Sequence, residues 1–252
     1  MMNAEEKTYE EMLIEGRNAV IEAFRSEREI DRVYILDGCQ DGPVKTILRE
    51  AKKQDTMVQY VKKERLDQLS ETKNHQGVIA YCAACEYAEV SDILENAKKK
   101  GEAPFIVLLD GIEDPHNLGA IIRTANQAGA HGVIIPKRRA VGLTATVART
   151  SAGAVNYTPV AKVTNLVTVM EDLKKEGMWF VCADMGGTTM YDLDLKGSIG
   201  LVIGNEGKGL TDQAADAADC LIRIPMCGHV ESLNAAMAGG ILMYEAARQR
   251  RN

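Results

Sequence analysis

The sequence predicts an α/β protein, a small α/β unit followed by a larger parallel-sheet domain, and three observations carry that expectation. Short β-rich apolar runs alternate with stretches of helical period along the chain, the pattern of parallel strands joined by helical crossovers. Phe105-Ile106-Val107-Leu108-Leu109 is apolar at every position, as a strand covered on both faces must be. Glu86 to Lys100 is charged and partly helical, and Lys100-Gly101-Glu102-Ala103-Pro104 breaks it. The chain therefore divides into residues 1–85, a linker over 86–104, and residues 105–252.

Element by element, Gly16 to Arg25 has helical spacing through Ala19, Val20, Ala23 and Phe24. Val33–Leu36 is a strand, and Asp41-Gly42-Pro43 opens a helix with proline in the first turn, where its missing N–H costs nothing. Strands at Met57–Val61 and Gly77–Tyr81 flank a short helix at Arg65–Leu69, with Asn74-His75-Gln76-Gly77 as a turn. Their alternation implies parallel pairing here too. The larger unit reads as strands at 105–109, 132–136, 157–163, 178–182, 200–203 and 221–224. Helices fit at 118–129, 144–152, 165–176, 211–217 and 232–250.

Bulk composition is that of a soluble globular chain, 46% hydrophobic and 26% charged. No apolar run approaches the roughly 20 residues of a membrane-spanning helix. The polar, acidic start, Met1 to Glu11, lacks the features of a signal or transit peptide, so a cytoplasmic location is expected. Four of the six cysteines lie in or beside apolar runs, as buried reduced thiols do, and Cys82-Ala83-Ala84-Cys85 has no second pair to complete a zinc site. No metal is expected. The formal charge is −6; residues 1–100 carry 16 basic and 20 acidic groups, and residues 101–252 carry 14 and 16. Neither part attracts nucleic acid in bulk. RNA contacts would need local patches such as Lys98-Lys99-Lys100, Lys137-Arg138-Arg139 or Arg248-Gln249-Arg250-Arg251.

Three glycine-bearing loops each follow a strand and lead to a helix, where ligands bind in open parallel sheets. In Asp110 to Ala125, Asn117 reads as an N-cap, Arg123 projects from the helix it starts, and Gly119 marks a close approach. In Ile203-Gly204-Asn205-Glu206-Gly207-Lys208-Gly209-Leu210, the spacing fails both the P-loop and GxGxxG patterns. A strand and glycine-rich turn still offers backbone groups to an adenosine, and Glu206 offers a carboxylate. In the third loop, Ile222 to Gly240, Ser232 can cap a helix. Leu233, Ala236, Met237, Gly240, Ile241 and Tyr244 mark one face of that helix.

In order and spacing these loops resemble the three signature motifs of the SpoU/TrmH family of RNA 2′-O-methyltransferases in the SPOUT superfamily. The carriers are Asn117 to Ala125, Ile203 to Leu210, and Ile224-Pro225-Met226 with Ser232-Leu233-Asn234. Residues 12–85, beginning Ile14-Glu15-Gly16-Arg17-Asn18-Ala19-Val20, are similar to that family's small substrate-binding domain, itself related to ribosomal L30e proteins. The two-domain layout is most similar to bacterial enzymes that methylate a guanosine ribose in large-subunit ribosomal RNA, with tRNA the nearest competing substrate.

The resemblance implies S-adenosylmethionine as cofactor, a homodimer, and a deep trefoil knot in the C-terminal domain. It places cofactor contacts at Ile203, Gly204, Ile224, Met226 and Leu233. Arg123, Asn117, Glu206, Ser232 and Asn234 become the catalytic set, with Arg123 better suited to electrostatic activation than to acting as a base. Arg17, Asn18, His75 and His116 are the RNA-facing candidates. His229, like His116, has a structural hydrogen-bonding role as its competing reading. Two rivals stand beside the enzyme. One is an inert RNA-binding assembly factor on the same scaffold; the other, a nucleotide-dependent enzyme, suffers from the missing Ser or Thr after Lys208.

Overall fold

The computed structural model describes residues 13–26, 28–229 and 232–251. The polar stretch Met1 to Glu11 and, within the third loop, Val230 and Glu231 lie outside them. The described chain forms two compact units. One spans residues up to Glu86 together with Leu143–Ala145; the other spans Tyr87–Gly142 and the described residues from Thr146 onward.

The first unit holds strands β1 (Leu13–Glu15), β2 (Ile30–Leu36), β3 (Met57–Val61) and β4 (Val78–Cys82), and helices α1 (Arg17–Arg25), α2 (Gly42–Lys53) and α3 (Lys63–Leu69). Pro43 lies in the first turn of α2, and Asp41 caps that helix by accepting from the Val44 N–H at 3.1 Å. Val20, Phe24, Val33, Ile35, Val44 and Ile47 form the core.

The expectation of parallel pairing fails in part of this unit. The sheet runs β1-β4-β2-β3; β2 and β3 are parallel, but β4 is antiparallel to both β1 and β2. Helix length explains the difference. The 12-residue α2 spans about 18 Å and returns the chain along a full strand, whereas the 7-residue α3 spans about 10 Å and does not. The next strand starts from the far end and runs back.

Glu15 ties β1 to the loop after α3. Its carboxylate accepts from Ser70 Oγ, Thr72 Oγ1 and the N–H groups of Glu71 and Thr72. Burial alone raises its pKa, but these hydrogen bonds together outweigh burial and hold it at about 2. The depressed value stabilises the fold above the ordinary carboxylate range, and that stability is lost as pH falls through about 2. Glu15→Gln is therefore expected to unfold at lower urea than the wild type at pH 7. The gap should narrow steadily below pH 4.5; a gap independent of pH would contradict it.

The second unit is a six-stranded, all-parallel sheet in the order β10-β8-β9-β5-β6-β7. Its strands are β5 (Phe105–Asp110), β6 (Gly132–Pro136), β7 (Val160–Val163), β8 (Trp179–Thr189), β9 (Ile199–Gly204) and β10 (Cys220–Arg223). Its helices are α4 (Val90–Lys100), α5 (Pro115–Ala128), α6 (Ala145–Thr150), α7 (Leu166–Lys175), α8 (Asp212–Asp216) and α9 (Ala235–Arg250). Phe105 to Leu109 is fully buried, as the unbroken apolar run requires. Ile106 and Leu108 point into one layer with Ile93 of α4, Met170 of α7 and Phe180 of β8. Residues 86–104 were expected to be a linker; α4 within them instead buries Ile93 and Ala97 in this unit.

Strand β8 is longer than its apolar run suggests. Its pairing with β10 steps from Cys182↔Leu221 to Thr188↔Ile222, so residues 183–187 are extruded as a bulge. Among the described residues no helix is long and apolar enough to cross a membrane. Cys182 is buried, and that burial pushes its thiol up to about 12.

Candidate functional site

Parallel strands place all their following loops at one edge of the sheet, so the loops after β5, β9 and β10 meet although they lie far apart in sequence. Two of the expected caps prove to be something else. Pro115 occupies the first turn of α5, so Asp114 is the cap, and its carboxylate accepts from the His116 N–H at 2.8 Å. Asn117 lies within the first turn of the helix and is buried. At α9 the cap is Asn234, accepting from the Ala236 and Met237 N–H groups at 2.9 and 3.2 Å; Ser232 precedes it and is exposed.

Freed from capping, Asn117 joins the three loops. Its Nδ2 donates to Glu206 Oε1 at 2.7 Å, and its Oδ1 accepts from Asn234 Nδ2 at 3.0 Å. One side-chain amide thus fixes a carboxylate on the second loop and an amide on the third. Gly119, two residues further along α5, marks a separate close approach. A β-carbon there would stand 1.9 Å from Thr150 Oγ1, so α6 lies directly against α5.

The second loop is a tight turn closed by its own backbone. Asn205 and Gly209 exchange N–H···O bonds at 2.9 Å each, while Asn205 Oδ1 accepts from the Gly207 and Lys208 N–H groups. A β-carbon on Gly204 would lie 2.4 Å from the Gly209 carbonyl carbon, which only glycine avoids. Asn205 Nδ2 donates to the Gly111 carbonyl at 2.6 Å, and Asp110 accepts from Thr211 N–H and Oγ1. The turn is fastened to the first loop at both ends.

A cleft of about 430 Å³ opens at this edge, within the usual range for cofactor-sized ligands. Ile203, Gly204, Glu206, Ile224, Met226, Ser232 and Leu233 all line it, as does the cap-adjacent Ala235. Asp184 and Met185 line it too, from the β8 bulge, and the sequence reading missed them. Gly186-Gly187 reads as the end of a strand; Thr188-Thr189 beyond it was the available β-signal.

Other expected residues lie elsewhere. Arg123 is exposed on α5, about 9 Å along the axis from Asn117, with no side-chain partner among the described residues. His116 and His229 are exposed. In the first unit Asn18 is exposed, but Arg17 is spent on Asp41 at 2.7 Å and on the Gln76 carbonyl. His75 is a correction to the RNA-facing set. It is buried, with Nε2 at 3.0 Å from Asp67 and Nδ1 accepting from the Gly77 N–H. Among the described residues no cluster of His, Cys, Asp or Glu is placed to hold a metal ion.

The sequence and fold match known proteins over both units. A profile of the SpoU rRNA Methylase family matches residues 104–244, and one described as RNA 2′-O ribose methyltransferase substrate binding matches residues 13–88. A protein of Bacillus subtilis named as a TrmH family tRNA/rRNA methyltransferase is 47% identical, over 93% of this chain and 94% of its own. A similarly named Staphylococcus epidermidis protein is 46% identical, over 96% and 97%. Among solved structures, the SpoU methyltransferase AviRb from Streptomyces viridochromogenes, in complex with AdoMet, aligns with TM-score 0.61 and 26% identity, covering 96% of this chain and 91% of that one. An AdoMet-bound rRNA methyltransferase from Sinorhizobium meliloti aligns with TM-score 0.60 and 28% identity, covering 94% and 87%.

Proposed function

This chain belongs to the SpoU/TrmH family of RNA methyltransferases, and from that premise we propose that it uses S-adenosylmethionine to methylate a ribose 2′-hydroxyl, on a guanosine of large-subunit ribosomal RNA. The observation that carries this reading is the Glu206–Asn117–Asn234 bridge beside the 430 Å³ cleft. The lining suits the cofactor. Ile203, Ile222, Ile224, Met226 and Leu242 offer apolar surface, and the Asp184 and Glu206 carboxylates suit a cationic ligand bearing hydroxyls. Bound there, S-adenosylmethionine supplies an electrophilic methyl group on a sulfonium.

The chain's own residues have separable tasks. Gly204, Ile224 and Leu233 would hold the cofactor through backbone groups, Ser232 would add a hydroxyl, and the Asn117 bridge holds the loops at fixed spacing. Neutralising a guanidinium at pH 7 costs roughly 9 kcal/mol. Arg123 therefore works charged, holding a phosphate beside the target ribose and stabilising negative charge on the 2′-oxygen. Arg123→Lys keeps the charge but loses the planar fork. Its single-turnover rate is expected to fall about 100-fold at every pH. Recovery of activity at high pH would instead mark Arg123 as a base.

The first unit selects the RNA, a task supported by its match to substrate-binding domains. A homodimer through α9 is part of the proposal: Met237, Ile241 and Tyr244 form an exposed apolar row at helical spacing. So is a trefoil knot in the second unit, supported by that unit's match to the SpoU family. Mass-spectrometric mapping of ribose methylation in cells lacking the protein tests the substrate. Loss of a mark in large-subunit rRNA is expected; loss of a tRNA mark with rRNA unchanged would overturn the rRNA assignment.

A further inference from the structure

With a formal charge of −6, the chain has to meet an anionic backbone with a local cluster. Its basic runs differ in where the fold puts them. Lys98-Lys99-Lys100 ends α4, immediately ahead of β5. Arg250 donates to the carbonyls of Lys196 and Gly197 and of Ala103, which lead into β9 and β5. Arg248 is paired with Glu245 at 2.7 Å. Both of these runs therefore lie at the amino edge of the parallel sheet, a strand length from the cleft.

Lys137-Arg138-Arg139 is at the other edge. It follows β6 directly, on the side where the loop after β5 lies and the loops after β9 and β10 line the cleft. Specific contacts join it to them. Val141 N–H donates to the Ile112 carbonyl at 2.9 Å, and the Arg139 carbonyl lies against Gly111. Gly111 in turn accepts from Asn205, a cleft residue. Arg138 and Arg139 are exposed, and neither guanidinium has a side-chain partner among the described residues.

We propose that Arg138 and Arg139 form a phosphate-binding rim of the cleft, which holds the RNA backbone flanking the target nucleotide. The proposal rests on the RNA methyltransferase reading above and adds a substrate contact on the catalytic unit. Arginine suits the task because its planar fork binds phosphate oxygens in pairs. Each phosphate contact to a single strand releases counterions, contributing about 0.7 to the slope of log affinity against log salt.

The test compares the full-length wild type with the double variant Arg138→Gln/Arg139→Gln. The probes are unmodified transcripts of large-subunit rRNA and of tRNA, in filter binding across a salt series. For the transcript that the wild type methylates, the dissociation constant is expected to rise roughly 10- to 30-fold near 0.1 M salt, with the slope shallower by about 1.4. Calorimetric affinity for S-adenosylmethionine should not change. Lys99→Gln/Lys100→Gln, which removes the same charge from the far edge, should leave RNA binding at the wild-type level. Unchanged RNA affinity and slope, or an equal loss in the far-edge variant, would overturn the rim while leaving the enzymatic reading intact. A wild type that neither binds nor methylates either transcript would overturn both.

Discussion

Gly119→Val is expected to destabilise the protein by about 3 kcal/mol or more, lowering Tm by roughly 6–12 °C. The new β-carbon would stand 1.9 Å from Thr150 Oγ1 and 2.8 Å from Thr150 Cβ. The threonine has nowhere simple to go, because its hydroxyl donates to the Thr146 carbonyl at 2.8 Å and it closes α6. Helix propensity alone favours replacing a mid-helix glycine, by up to about 1 kcal/mol. Packing overrules it here. The milder Gly119→Ala isolates the clash, and Thr150→Gly in that background removes the obstructing atoms. Thermal unfolding of the two single variants and the double variant should show the second substitution costing less when alanine is present. Additive losses would mean that the α5–α6 approach is not the cause.

Asn117→Asp is expected to reduce kcat/KM by about 100-fold or more near pH 8 while leaving the fold intact. The change is isosteric, but the donor facing Glu206 Oε1 at 2.7 Å becomes a second carboxylate. Losing a hydrogen bond to a charged group costs about 1.5–3 kcal/mol, and like charges at this distance add to it. The two ionise together only against their mutual repulsion, so as a pair they titrate with one pKa raised. Below it a shared proton restores the bridge; above it the carboxylates repel. The affinity of Asn117→Asp for S-adenosylmethionine should therefore recover as pH falls from 8 to 5. Asn117→Ala, which has no second carboxylate, should lack this pH-dependent recovery. A deficit of the aspartate variant that is equal at both ends of the range would contradict the bridge.

These two variants also mark what the sequence makes legible. Strands such as β5 announce themselves because burial on both faces demands an unbroken apolar run. Gly119 could be read as a close approach because glycine is disfavoured inside a helix without such a reason. Asn117 misleads because a polar residue at a helix start usually caps it; Pro115 was the contrary signal, pointing one residue back to Asp114. Its actual partners lie 89 and 117 residues away, and no local pattern encodes such pairs. Asp184 and Met185 were missed for a different reason, since pairing with β10 continues past a bulge whose glycines read as an end. In the first unit, the length of α3 held the clue to an antiparallel β4 that alternation alone conceals.

The Asn117 bridge has a consequence in time as well as in space. Its three members are made in the order 117, 206, 234, and the cleft also needs Leu242, near the end of the chain. During synthesis the first unit and β5 can form early, but the cleft has no partial version. A chain cut short before α9 lacks Ala235, Ala238 and Leu242, and with them one wall of the cleft.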